Sequence, residues 1–382
     1  MRVTGLHVTG YRSVRDIWFP VDPVGVFVGG NGTGKSNLYR SLELLHQAAT
    51  GTLAASLAAE GGMGSACWAG PRKQSDERGI VLEADIAAPG TGGRYRYRIG
   101  IDRHPTNPKD RSGDGFPGEA RVHSETLEFM FGPRSTVLLE RRNRTGWAVD
   151  DSGKRHVLST DLMSGETALS SIAEGASFPD LEAVRRMLSR WRFYHLFRSD
   201  PASPLRRPAH AVSSPSLDPD GANLAAVLAT ACILRDRRDE VMAAVGDAFP
   251  GAGLNVPLPG ADATFSLKVP GLDRDLSPAE LSDGQIRYLA LVGALLSYRP
   301  PPFVALNEPE TSLHPSMLPA LARLVIAASR RSQVWLVTHS ETLAGSIARE
   351  AGVPTRTVIK RDGATWIEGL GLSGFDDAQP IE

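Results

Sequence analysis

The run Gly29-Gly30-Asn31-Gly32-Thr33-Gly34-Lys35-Ser36 places glycines, a lysine and a hydroxyl at the spacing of a phosphate-binding loop. It follows an apolar run, Val24 to Val28, and precedes a helical pattern, Asn37 to Ala49, in which Leu38, Leu42 and Leu45 share one face. This setting suits the chemistry. Glycines let successive backbone N–H groups turn toward a triphosphate, Lys35 reaches the β/γ-phosphates, and the Ser36 hydroxyl can ligate Mg²⁺ at the positive end of the helix that follows. The expectation is a nucleoside-triphosphate site contacted by Gly29, Asn31, Gly32, Thr33, Gly34, Lys35, Ser36 and Asn37.

A chain of 382 residues could hold two or three average domains; one large α/β domain with insertions is the reading adopted. With a net charge of −1, bulk charge gives no sign of nucleic-acid binding, so any basic site must be local. The two cysteines, Cys67 and Cys232, supply neither a disulfide framework nor a metal cluster, which points to a reducing cytoplasm. Cys232, within the apolar stretch from Leu224 to Leu234, reads as core. The chain opens into Val3-Thr4-Gly5-Leu6-His7-Val8 with no charged-then-apolar leader, and its longest apolar run, Leu289 to Leu296, is too short for a membrane span. No membrane partner is expected.

Residues 2 to 28 read as short strands. From about 80 to 160 the period becomes two: Tyr95, Tyr97, Ile99 and Ile101 alternate with Arg94, Arg96, Arg98 and Gly100, and Leu127, Phe129 and Phe131 alternate with Glu128 and Met130. This predicts antiparallel sheet with one buried face. Asn143 to Gly146 and Asp151 to Gly153 read as turns, and Pro105 to Gly118 as a loop. The arginine row, extended by Arg141, Arg142 and Arg144, has two readings: a solvated face or a track for phosphates. Residues 180 to 250 become helical, with Leu181, Val184, Met187, Leu188 and Trp191 at helical spacing, then Leu224, Val227, Leu228 and Ala231. Between these helices, Arg198 to Pro219 reads as an exposed Pro/Ser/Arg-rich connection. No sustained heptad repeat predicts a coiled-coil arm. Phe303 to Leu306 and Val334 to Val337 have the form of buried parallel strands.

Leu281-Ser282-Asp283-Gly284-Gln285 precedes a helix with Ile286, Leu289, Val292 and Leu296 on its buried face. Ser282 or Asp283 can be an ordinary N-cap, or the turn can be a second anion site. The pentapeptide resembles the Leu-Ser-Gly-Gly-Gln signature of ABC-type ATPases, with Asp283 in place of the first glycine. Phe303-Val304-Ala305-Leu306-Asn307-Glu308 then resembles a Walker B strand. The resemblance assigns Glu308 to orienting or deprotonating the attacking water, and puts Asn307 where an aspartate usually holds the Mg²⁺ shell. An amide oxygen carries no formal charge there, so Glu308 or Glu310 would have to compensate. His339, ending Val334-Trp335-Leu336-Val337-Thr338, resembles the H-loop histidine that contacts the γ-phosphate. A Q-loop glutamine has only Gln74 as a candidate.

Tyr11-Arg12-Ser13 is similar to the short N-terminal motif by which RecF/SMC-type heads contact nucleotide. Glu308-Pro309-Glu310 followed by Leu313-His314-Pro315 resembles the RecF-like and OLD-like branch. The resemblance spans Tyr11 to Ser340 and implies an α/β P-loop NTPase of the ABC-type head class, with a mixed or parallel core sheet, an antiparallel β lobe and a helical insertion. Its expected parts are residues 1–179 with the phosphate loop and β lobe, 180–280 as a mainly helical insertion, and 281–382 with signature, Walker B and H-loop. About forty residues follow His339, too few for the Toprim nuclease of OLD proteins.

The cofactors implied are ATP and Mg²⁺, with catalysis by Glu308, Lys35 and His339, metal contact by Ser36 and Asn307, and nucleotide contact extended to Arg12, Ser13 and the Leu281–Gln285 turn. The partners implied are a second copy of the chain across an ATP sandwich, DNA, and a separately encoded effector. Two functions stay open: an ATP-driven switch or clamp in DNA maintenance or antiphage defence, and an ATP-dependent scaffold or sensor with little hydrolysis. A transporter subunit fits less well, because of the long 180–280 segment and the Glu-Pro-Glu loop.

Overall fold

The computed structural model describes residues 1–71, 78–105, 116–158, 162–171, 177–195, 197–235 and 237–370. Gln74 and the centre of the 105–118 loop lie outside them. The chain forms two compact units: residues 1–22, 29–191 and 357–382 build one, and residues 23–28 and 192–356 the other. No helix among the described residues is long and apolar enough to cross a membrane.

The first unit is built on an eight-stranded antiparallel sheet. In spatial order its strands are Val14–Pro20, Arg2–Tyr11, Ile80–Ala87, Arg94–Arg103, Ala120–Phe131, Arg134–Arg142, Thr145–Val149 and Arg155–Val157. The expected alternation appears as burial: Tyr95, Tyr97, Ile99, Ile101 and Leu127 face inward. The helices Lys35–Thr50 and Pro179–Ser189 pack together and bury Leu38, Leu42, Leu45, Leu181, Val184 and Leu188. Phe131 departs from the expected alternation. It stands at the tip of the hairpin to Arg134, past a register shift at Leu127/Glu128, and is 56% exposed.

The arginine row is not a free phosphate track. Arg96 makes a two-pronged pair with Asp85 (2.7 and 2.9 Å) and also meets Glu83, which draws Arg98 as well. Arg141 is buried, 4.0 Å from the buried Glu125, and donates to the carbonyls of Asn143, Met163 and Glu166. Cross-strand carboxylates therefore neutralise the central arginines.

The second unit has a parallel sheet in which Arg192–Tyr194, Phe303–Asn307, Gln333–Thr338 and Val24–Val28 pair in that order. Both faces of such a sheet are covered, which is why these strands read as continuous apolar runs. Helices Leu224–Ala229, Arg238–Ala248, Asp283–Leu295, Leu318–Ser329 and Glu341–Ala351 contribute to one core with Leu306, Leu336, Leu289, Val292, Leu321, Val325 and Ile347 fully buried. Cys232 belongs to this core, as expected. Residues 198–219 depart from the reading of an exposed connection. Leu205, Leu217 and Ser203 are fully buried, and the Tyr194 hydroxyl donates to the Leu217 carbonyl at 2.9 Å. Proline content marked irregular backbone here, not solvent.

Candidate nucleotide-binding site

Gly34 adopts φ 98° immediately before the helix Lys35–Thr50. A Cβ there would lie 1.8 Å from Thr365 Oγ1 and 2.7 Å from Ser13 Oγ, so conformation and crowding both require glycine. Gly29 is confined as well, since its Cβ would lie 2.4 Å from the Val358 carbonyl oxygen. The crest is different: a Cβ on Gly30 or Gly32 would meet nothing within 4 Å, and Asn31 and Gly32 are exposed. The loop is thus braced behind and open in front, as phosphate capture by backbone N–H groups needs. Lys35 is 4% exposed, and its Nζ donates to the Gly29 and Gly30 carbonyls at 2.7 and 2.8 Å. Phosphate oxygens, being charged, are stronger acceptors than these neutral carbonyls. Ser36 is exposed in the first turn of the helix.

Ser13 and Asn37 form the brace. Asn37 Nδ2 donates to Ser13 Oγ at 2.7 Å, Ser13 Oγ lies 2.6 Å from Thr365 Oγ1, and Thr365 Oγ1 donates to the Thr33 carbonyl at 3.0 Å. Sequence reasoning missed Thr365, a lone threonine far along the chain with no motif around it. Arg12, in a left-handed conformation at the Tyr11/Val14 turn, is held by Glu60 through Nε (3.1 Å) and Nη2 (2.6 Å). Tyr11 donates to the same carboxylate, and burial with that anion nearby raises its hydroxyl pKa.

In the second unit the strand Phe303–Asn307 ends at Glu308, whose φ of 50° is rare for a non-glycine residue. Its N–H donates to the Val337 carbonyl at 2.7 Å, and its Oε1 lies 2.9 Å from His339 Nε2. Each side chain is 35% exposed. Glu310 Oε1 accepts from Thr338 Oγ1 (2.6 Å) and from the His339 N–H (2.9 Å), fixing the backbone that carries the histidine. Glu310 Oε2 and Asn307 Oδ1 are buried without a hydrogen-bond partner. Orphaned buried acceptors are costly unless water or a cation satisfies them.

The signature turn is built as both a cap and an exposed donor. Ser282 Oγ accepts from the Gln285 N–H (3.3 Å), and the Ser282 N–H donates to Gln285 Oε1 (2.9 Å), a reciprocal capping box. The hydroxyl proton of this exposed serine remains available to an anion. Leu281 is buried, and Gly284 is required by packing, since a Cβ would lie 2.9 Å from the Ser312 carbonyl oxygen. From the next turn, Arg287 Nη1 donates to Thr311 O (2.9 Å) and Ser312 Oγ (3.2 Å), and burial lowers its guanidinium pKa.

A parallel strand feeding a glycine-braced loop and helix, a serine-capped signature helix and a Glu–His pair at the strand ends define the P-loop ATPase head class. Residues 25–344 match the AAA_21 family, described as "AAA domain, putative AbiEii toxin, Type IV TA system", and the chain belongs to that family. The fold is shared with an SmcHead bound to the C-winged helix domain of ScpA, at a TM-score of 0.52 and 14% identity over 96% of this chain and 97% of that one. It is also shared with an Smc head domain with an extended coiled coil bound to the C-terminal domain of ScpA from Pyrococcus furiosus, at 0.52 and 14% over 97% of each chain. No protein with a curated description matches. The chain is an AAA_21-family protein with the α/β head fold shared by these SMC heads.

Proposed function

We propose that the protein binds ATP with Mg²⁺ and hydrolyses it, working as an ATP-dependent dimeric switch in DNA maintenance or antiphage defence with a separately encoded effector. The carrying observation is the Glu308–His339 pair, 2.9 Å apart at the ends of adjacent parallel strands. In this reading Glu308 accepts the proton of the attacking water, and His339 keeps the carboxylate aligned and reaches toward the γ-phosphate. Lys35 and the loop N–H groups neutralise the β/γ-phosphates. For Mg²⁺ each unit offers an oxygen donor of its own, the exposed Ser36 hydroxyl in one and the partnerless Asn307 Oδ1 in the other, and oxygen donors suit an ion that would arrive with phosphate ligands and water. The ion would supply charge neutralisation of the phosphates.

Ser282 and Gly284 would close on a nucleotide bound to a second copy, and hydrolysis would release that contact. The toxin and Type IV TA wording of the family description, together with the SMC head fold, supports the defence and DNA-maintenance settings and a separate partner. The neutral Asn307 favours a second reading, in which ATP holds a scaffold or sensor together with little turnover.

Glu308→Gln tests both. The amide keeps the shape but cannot take a proton, so single-turnover hydrolysis should fall about 10²-fold or more while ATP binding persists. Light scattering should then show an ATP-trapped dimer. Unchanged turnover removes Glu308 from the reaction, absence of any ATP-linked dimer removes the switch, and dimerisation of the wild type without measurable hydrolysis selects the scaffold.

A further inference from the structure

The signature turn carries an aspartate directly beside the serine that is read as meeting a phosphate. Left bare, a carboxylate 60% exposed at that position would repel the anion. The structure supplies the opposing charge from a segment that contains no motif. Arg206, in the short 3₁₀ turn Pro204–Arg206, has a side chain only 7% exposed, and its Nη2 donates to Asp283 Oδ1 at 2.9 Å. Its Nη1 donates to the carbonyls of Leu281 (2.6 Å), Pro278 (3.1 Å) and Ala279 (3.3 Å), and its Nε to Ser199 O (2.8 Å).

A guanidinium carries its N–H donors in a rigid fork, and here Nη1 is committed to the backbone that leads into Ser282, Nη2 to the Asp283 carboxylate and Nε to the Ser199 carbonyl that anchors the fork. Two consecutive capping boxes, Ser277 with Glu280 and Ser282 with Gln285, fix the same stretch from either side of Leu281.

We infer that Arg206 is the positioning residue of the signature turn: it sets the backbone on which Ser282 stands and neutralises Asp283, so that the turn can receive the γ-phosphate of a nucleotide bound to a second copy of the chain. This rests on the ATP-sandwich reading above. Asp283 and Arg206 then form a coupled pair. With Asp283 alone the turn opposes the anion; with Arg206 alone it still attracts one. A residue that merely stabilised the fold would not show that asymmetry.

The test uses full-length protein carrying Glu308→Gln, compared with the same protein bearing Arg206→Gln, Asp283→Gly or both. Calorimetry measures ATP binding to the monomer, and sedimentation measures the dissociation constant of the ATP-bound dimer. Monomer ATP affinity should be the same in all four. Arg206→Gln should weaken the dimer about tenfold or more, because a desolvated charge partner has been removed. Adding Asp283→Gly should recover most of that loss, and Asp283→Gly alone should dimerise at least as tightly as the parent.

Parent-like dimerisation of Arg206→Gln, or a double variant no tighter than Arg206→Gln, overturns the inference. If the Glu308→Gln parent forms no ATP-linked dimer, the sandwich reading itself fails, and amide exchange decides the positioning role. Exchange at residues 281–286 should be about tenfold faster in Arg206→Gln, by loss of the hydrogen bonds that hold the turn closed; equal exchange overturns it.

Discussion

Two side chains set how much charge the nucleotide would meet. Lys35 is nearly buried and its Nζ donates to its own loop's carbonyls, so removing its ammonium leaves β/γ-phosphate charge uncompensated. Lys35→Ala should lose at least about 2 kcal/mol of ATP affinity, the scale of a charge-assisted contact; equal calorimetric affinity for variant and wild type would refute the phosphate-loop assignment. Asn307 poses the opposite problem, since its Oδ1 is buried and partnerless. Asn307→Asp puts a formal charge on that oxygen, unfavourable alone and favourable beside a divalent cation. The variant should melt below wild type in nucleotide-free buffer and gain more melting temperature than wild type when Mg²⁺ and ATP are added. Parallel Mg²⁺ titration curves would show that Asn307 does not limit metal binding.

At the scale of strands and helices, Glu125 ties the antiparallel sheet to the short helix Ala168–Ser171. Its carboxylate accepts from Tyr97 Oη (2.9 Å) and from the N–H groups of Ala168 (2.6 Å) and Leu169 (2.9 Å), fully buried with Arg141 4.0 Å away. Burial raises the pKa of this carboxyl, and burial beside it raises that of Tyr97. Glu125→Ala would strand a buried cation, a phenol and two N–H groups, costing about 3–5 kcal/mol, as does breaking a buried pair from one side. Arg142→Ala, whose guanidinium is 80% exposed beside Glu140, should cost less than about 1 kcal/mol. Denaturant midpoints check the contrast; similar losses for both would mean that Glu125 is not a hub.

The alternation of Tyr95 to Ile101 made the sheet legible in the sequence, because period two reports which face is buried. The same pattern could not tell a bare arginine row from one neutralised by Glu83 and Asp85, which depends on cross-strand register. Nor could it separate Arg206 from the other arginines of a proline-rich stretch, because all its acceptors but the Ser199 carbonyl lie more than seventy residues away.

Across the whole chain, every motif that sequence reasoning recognised ends by Ser340, yet the first unit is assembled from three separate stretches, the last beginning at Thr357. That stretch contributes most of the strand Thr355–Arg361 and all of Ala364–Ile367, and from them the Val358 carbonyl that crowds Gly29 and the Thr365 hydroxyl that crowds Gly34. Thr365 is 1% exposed, its N–H donates to the Ser13 carbonyl at 2.8 Å, and its hydroxyl reaches the Thr33 carbonyl. Motifs alone are therefore insufficient: a chain ending at residue 356 keeps phosphate loop, signature, Walker B and H-loop but loses the wall against which the loop is bent. It should fail to bind ATP. Truncation can also unfold the unit, so full-length Thr365→Val is the sharper variant, because it keeps the volume and removes only the hydroxyl. Two hydrogen bonds at about 1 kcal/mol each set the scale by which the braced loop is weakened before any nucleotide binds, so the denaturant midpoint should fall and ATP should bind up to roughly tenfold more weakly. Wild-type affinity in Thr365→Val would mean that the loop holds its shape by its glycines alone.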